Sequence, residues 1–319
     1  MNPTINTQPI IAIVGPTASG KSDLGIELAL RFDGEIINCD SVQVYQGIEI
    51  ATAKVPLAER RGVPHHLLDF VPPTVSFTAG AWARAALEKL AEIEARKRLV
   101  IFVGGTGFYL RALRQPLFPS PTTDERLRTR LTKLRERRGT ERLHKLLQRL
   151  DPDSASRLYP RDWSRVQRAL EVRLQTGASI SRQQPARPAS HSAAARLHIF
   201  AFSPPRAELY ARINERAARH FQAGLIDEVR CLLDAGVPTA SNALGAHGYR
   251  RVVEHLKGER TLESALEQTQ LDVRHYAKRQ LTWFRRELGV EWIEGFGDSL
   301  EVQKLVTRRV RELLEANEE

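Results

Sequence analysis

Apolar residues in this chain fall into two patterns, short continuous runs and longer stretches spaced three or four apart. Ile10–Val14, Glu35–Asp40, Leu99–Val103 and Leu197–Phe202 are of strand length and largely apolar at successive positions. That is the pattern of strands buried on both faces of a parallel sheet. Val63–Phe70 predicts one more short strand. Between these runs the period changes. Asp23–Leu30 has helical spacing, Ala79–Arg98 sets Trp82, Ala85, Ala86, Leu90 and Ile93 on one side, and Arg206–Leu233 is mostly helical. The alternation predicts an α/β fold with a parallel sheet flanked by helices, and Gly15–Ser22 between the first strand and helix makes that expectation P-loop NTPase-like. Pro116, Pro119 and Pro121 break it, and a strand-free helical stretch follows. Ala178–Arg196, rich in Ser, Gln, Pro and Ala, reads as a surface connection. The expected organisation is therefore a core (1–115) interrupted by an all-helical insertion (116–195) and resumed over 196–319.

The junction of the first strand and helix carries Gly15-Pro16-Thr17-Ala18-Ser19-Gly20-Lys21-Ser22, a G-x-x-x-x-G-K-S phosphate loop. Gly15 and Gly20 let the backbone wrap with its N–H groups inward, and the helix adds its positive end. Lys21 supplies a mobile charge and Ser22 a hydroxyl for Mg²⁺. A bare strand–turn–helix is the alternative. The second strand delivers Asp40 and Ser41 at the sheet edge where ligands sit. Asp40 suits a general base or a metal partner, or simply a cap for the next turn. The strand at 99–103 ends in Gly104-Gly105-Thr106-Gly107-Phe108-Tyr109 and not in an acid. That ending suits a second polar contact better than nucleotide hydrolysis.

Charge sharpens the picture. The formal net charge is +10, and Arg111–Arg149 alone holds twelve Lys or Arg against four Asp or Glu. A basic helical module points to nucleic acid, with a solvated helix face as the alternative. Arg161, Arg165 and Arg168 share a helical face, Arg212 and Arg216 are four apart, and Tyr276–Arg286 interleaves basic with aromatic residues. Cys39 and Cys231 give no disulfide framework. His65 and His66 point to opposite faces of a strand with no third ligand nearby. No apolar run has the ~20 residues of a membrane span, so a cytoplasmic protein is expected.

Taken together, the loop at 15–22, Asp40-Ser41-Val42-Gln43-Val44-Tyr45, Gly104–Tyr109, Arg168-Ala169-Leu170-Glu171-Val172, Gly224–Val229 and Tyr276–Phe284 resemble, in order, the bacterial tRNA dimethylallyltransferases. The resemblance implies transfer of a dimethylallyl group from its diphosphate to the N6 amine of the adenosine 3′ of the anticodon, in tRNAs reading codons that begin with U. It implies Asp40 as base, Thr106 positioning the adenine, and Lys21, Arg216 and Mg²⁺ at Ser22 on the departing diphosphate. Contacts to the tRNA anticodon stem-loop would come from Asp40, Ser41, Val42, Gln43, Thr106, Arg128, Ser164, Arg165, Val166, Gln167 and Arg168. The aromatic–basic helix would add Lys278, Arg279, Gln280 and Trp283. The expected enzyme is a monomer with no membrane partner. The chain departs from the family pattern at Gln46, Ala51, Val55, Ser164 and His247. Rival readings are a transferase acting on free adenine nucleotides, a small-molecule kinase and a non-catalytic RNA-binding module.

Overall fold

The computed structural model describes residues 8–115, 117, 121–180 and 191–317. It divides into two compact units, residues 1–114 with 191–319 and residues 115–190.

The larger unit is built on six parallel strands, β1 (Ile10–Val14), β2 (Gly34–Asn38), β3 (His65–His66), β4 (Leu99–Gly104), β5 (Leu197–Ser203) and β6 (Val290–Glu294), in the order β3-β2-β4-β1-β5-β6. The register sets Val14 opposite Gly104 and Ala201. Alternation along β1 sends Ile10, Ala12 and Val14 into one core with Trp82 and Phe102, and Ile11 and Ile13 into another with Leu24, Leu28 and Val306. Helices must therefore cover both faces, as the unbroken apolar runs demand. They are α1 (Lys21–Arg31), α2 (Ala79–Ala95) and α3 (Gly107–Arg114), with further helices after the second unit. The chain leaves β1, crosses beyond β4 to β2, and later returns to the other flank of β1 at β5. This reversal puts the loops after β1, β2 and β4 side by side at the carboxyl edge.

Sequence and structure differ at definite places. The second strand stops at Asn38, two residues before Asp40. Of the strand expected over 63–70 only His65–His66 pairs, because Leu67 and Asp69 both turn to φ 56°. His66 Nε2 lies 2.6 Å from Glu35, and His65 Nδ1 lies 2.8 Å from Val63 O. Strand β6, with its alternating Val-Glu-Trp-Ile-Glu, went unread in the sequence.

The smaller unit holds α4 (Glu125–Arg138), α5 (Thr140–Leu150), α6 (Pro152–Arg157) and α7 (Trp163–Thr176). Asp124 caps α4 through Arg126 N and Leu127 N, and Asp151 caps α6 with Pro152 as its first residue. Leu131, Leu143, Leu147, Val166 and Leu170 form the core, while Leu174, four residues after Leu170, is 48% exposed. Within the surface connection read over 178–196, residues 181–190 lie outside the described residues, as do Pro116 and Pro119. Ala193 packs into the sheet unit's core.

The larger unit continues with α8 (Ser192–Ala195), α9 (Arg206–Gln222), α10 (Leu225–Asp234), α11 (Tyr249–Leu256), α12 (Leu262–Phe284) and α13 (Leu300–Glu315). The helical stretch expected over 206–233 is thus two helices, parted at Gly224 with φ 97°.

Candidate active site

Three loops at the carboxyl edge of the sheet enclose a cavity of about 310 Å³. The first is the phosphate loop. Gly20 stands at φ 77°, and a Cβ there would come within 2.4 Å of Asp298 N, so the turn into α1 accepts only glycine. Ser19 Oγ donates to Pro16 O at 2.8 Å, which ties the loop across itself. Thr17, Ala18, Ser19, Gly20, Lys21 and Ser22 line the cavity, and Gly15 and Pro16 are buried behind them.

Two cations converge here. Lys21 Nζ donates to Pro16 O at 2.6 Å. Burial, then the Arg216 guanidinium, pushes its pKa down to about 7, with Asp40 opposing. Arg216 reaches in from α9 and donates to Thr17 Oγ1. Its own pKa is pushed down to about 10, by burial first and then by Arg219, again with Asp40 opposing. Two positive groups that have lost water and repel one another form a site primed for an anion. Arg212 does not join them. It pairs with Asp298 at 2.6 Å and lies 3.7 Å over the Phe296 ring, so the four-residue spacing does not bring it to Arg216's anion site.

The opposite rim is made by the loops after β2 and β4. Asp40 Oδ1 accepts from Val42 N at 2.8 Å and Gln43 N at 3.3 Å, so the capping role is real. Among the described residues no donor reaches its Oδ2, and Asp40 still lines the cavity. Thr106 Oγ1 accepts from Ser41 N at 3.0 Å and donates to Ser41 Oγ at 3.3 Å. Thr106 N donates to Cys39 O at 3.1 Å. Gly104 passes so close beneath Cys39 that a Cβ would come within 2.2 Å of its carbonyl oxygen. Asp40 and Thr106 are thereby held on one short, cross-linked segment. Gln43 Nε2 is held by the carbonyls of Thr52 and Ala53 at 3.0 and 3.3 Å, and Val42 beside it is half-buried.

Gln280, on α12, joins the two rims. Its Oε1 accepts from Thr17 N at 2.9 Å and its Nε2 donates to Gly105 O at 3.0 Å. It is 4% exposed and lines the cavity, so it works as an internal clamp between the two rims. Lys278 and Arg279 on the same helix are exposed, and Trp283 is half-buried under Arg111 at 4.2 Å. Phe284 is core. His247 packs against Tyr276 at 5.0 Å, and burial, then Arg279, lowers its pKa.

The helical unit sorts its own candidates. Arg128 makes a two-bond fork to the buried Glu171 at 2.9 and 3.1 Å, and Arg168 joins the same carboxylate at 3.2 Å while donating to Pro121 O at 2.8 Å. Ser164 and Arg165 are exposed. Val166 and Gln167 face inward, Val166 in the apolar core and Gln167 donating to Arg128 O at 3.2 Å. That burial corrects their expected place on an RNA-contacting face. The stretch 41–55 reads in the sequence as an ordered active-site loop, but that reading assigns no role to Lys54. Its buried ammonium bonds Tyr45 O and Asp69 at 2.6 Å each and Glu49 at 2.8 Å, beside the cavity it lines. The signal was a lone lysine five residues after Glu49, the one other charge between 41 and 55.

Ser22, half-buried at the cavity wall, and the carboxylates of Asp23 and Asp40 are oxygen donors of the kind Mg²⁺ takes. Among the described residues no group of three or more His, Cys, Asp or Glu is arranged for a metal. An ion would therefore draw its remaining ligands from a bound diphosphate and water.

Comparison with known proteins meets this geometry from another side. Residues 43–287 match the family model IPP transferase. A tRNA dimethylallyltransferase of Solibacter usitatus is 45% identical over 306 residues, covering 96% of this chain and 99% of that protein. One from Thermomicrobium roseum is 43% identical, covering 90% and 86%. Among solved structures, the full-length tRNA isopentenylpyrophosphate transferase of Bacillus halodurans is 35% identical with a TM-score of 0.71, over 98% of each chain. A eukaryotic dimethylallyltransferase acting on tRNA superposes with a TM-score of 0.78 at 26% identity, over 95% of this chain and 78% of that one.

Proposed function

The chain belongs to the IPP transferase family and is a transferase of tRNA modification, and from that premise we propose how its residues carry the reaction. The donor is dimethylallyl diphosphate and the acceptor is the N6 amine of the adenosine 3′ of the anticodon, in tRNAs reading codons that begin with U. The supporting observation is one cavity lined by Lys21 and Arg216 and by Asp40, with Thr106 bonded to Ser41 next to Asp40.

The amine nitrogen forms a bond to the allylic carbon as the carbon–oxygen bond to the diphosphate breaks. Positive charge develops on carbon and negative charge on the leaving oxygen. Lys21, Arg216 and the loop N–H groups lie where that negative charge appears, so they act on the transition state more than on the bound donor. Asp40 takes the proton released by the amine, with Oδ1 held by Val42 and Gln43 so that Oδ2 faces the acceptor. Thr106, fixed by Ser41, orients the adenine. Mg²⁺ at Ser22 would supply further charge neutralisation of the diphosphate. The adenosine must leave its stack to reach this enclosed site. Exposed Lys278, Arg279, Ser164 and Arg165 are the proposed RNA contacts, while Arg128 and Arg168 shape the helical unit through Glu171. The enzyme is proposed to act as a cytoplasmic monomer. Among the described residues no helix is long and apolar enough to cross a membrane.

The decisive test is transfer of label from dimethylallyl diphosphate, with Mg²⁺, to unmodified tRNA or to free AMP. Label in tRNA alone is the expected result. Label in AMP would move the chain to the free-nucleotide class, and ATP turnover without either would favour a kinase.

A further inference from the structure

Helix α3 buries Tyr109, Leu110, Ala112 and Leu113 against the sheet unit. Phe108 turns the other way and is 45% exposed, two residues after Thr106. Its surroundings are nevertheless rigid. Its ring meets Trp283 edge-on at 6.1 Å and 77°. Trp283 is pressed onto Gly107 so tightly that a Cβ there would come within 2.1 Å of the indole Cδ1. Arg111 covers the indole at 4.2 Å and is itself paired with Glu287. Exposed Arg279 lies one helical turn before Trp283. An open phenyl face braced by the edge of Trp283, which itself carries Arg111 and lies one turn from exposed Arg279, suits a polyanion that carries flat apolar groups. Single-stranded nucleic acid has that chemistry. The acceptor supplies the flat group, because drawing one adenosine out of its stack bares the faces of the bases beside it.

We propose that Phe108 is a stacking platform for the nucleobase adjacent to the accepting adenosine, an inference that rests on the tRNA-transfer reading above. Stacking there replaces part of what the RNA loses on unstacking and holds the adenosine in register with Thr106 and Asp40.

The test uses the full chain and an anticodon stem-loop RNA, either intact or abasic on the 5′ or the 3′ side of the accepting adenosine. Phe108→Ala and Phe108→Leu are expected to raise KM for the intact RNA about tenfold, the scale of one base–aromatic stack, with KM for dimethylallyl diphosphate and the melting temperature unchanged. Phe108→Tyr and Phe108→Trp are expected to stay near the parent value. On the RNA abasic at the stacked position, the Ala and parent enzymes should become equal within about twofold. Full activity of Phe108→Leu, persistence of the Ala defect on both abasic RNAs, or a matching loss of donor affinity would overturn the platform. If the parent enzyme labels no stem-loop at all, the tRNA reading falls first. If the parent transfers normally and Phe108→Ala does too, only the platform falls.

Discussion

At the scale of single residues, the site depends on charges placed where water is scarce. Asp40→Ala removes the proposed proton acceptor and leaves the exposed basic residues proposed to meet RNA in place. Transfer is expected to fall by roughly 10²–10⁴-fold while tRNA binding by filter retention stays unchanged. Lys21 offers a pH signature. In the free enzyme its pKa sits near 7, against an ordinary value of 10.5. A bound diphosphate favours the ammonium and raises that pKa. Binding above neutral pH must therefore take up a proton, and affinity must decline as pH rises past about 7. Calorimetric titration of diphosphate in buffers of different ionisation enthalpy should show that uptake, and Lys21→Met should lose the lysine's share of it. The loop, Asp40 and Thr106 were legible in the sequence because each follows a strongly apolar strand. The inward turn of Val166 and Gln167 was not, because helical spacing alone does not say which face of α7 meets its neighbours.

At the scale of elements, the carboxyl edge is held by contacts between loops that are remote in sequence. Gln280→Leu keeps the volume but strips the bonds to Thr17 and Gly105, leaving a buried N–H and carbonyl without partners. A loss of about 1–3 kcal/mol in unfolding free energy is expected, with weaker diphosphate binding, by denaturant titration and calorimetry. Gly104→Ala forces its methyl against the Cys39 carbonyl, at 2.2 Å before relaxation. It should separate the strand ends that carry Asp40 and Thr106, lowering kcat more than donor affinity. Strand periodicity exposed β1, β2, β4 and β5, yet Gln280 looked like one more polar residue on a basic helix. Its clamp exists only because the fold brings α12 beneath two loops, and no local pattern reports that.

At the scale of the whole molecule, the excess positive charge is concentrated in the stretch leading from α3 through α5. Part of it is consumed internally, since Arg128 pairs with the buried Glu171, as Arg168 of α7 also does. The exposed remainder, together with exposed Arg161 and Arg165 around the start of α7, is expected to set the salt dependence of RNA binding. Replacing Arg161 and Arg165 with Ala should reduce the slope of log Kd against log salt by up to about 0.7–0.9 for each phosphate that the variant no longer neutralises. The order of the strands bears on synthesis. Central β1 is made first but pairs with β5 only after the helical unit has been translated, and Thr17 meets Gln280 263 residues later. A nascent chain thus displays its complete phosphate loop long before the latch that shapes it exists. A chain that stops before Gln280 carries the motif without the bond that holds Thr17 N, so contacts of long sequence separation complete this site last.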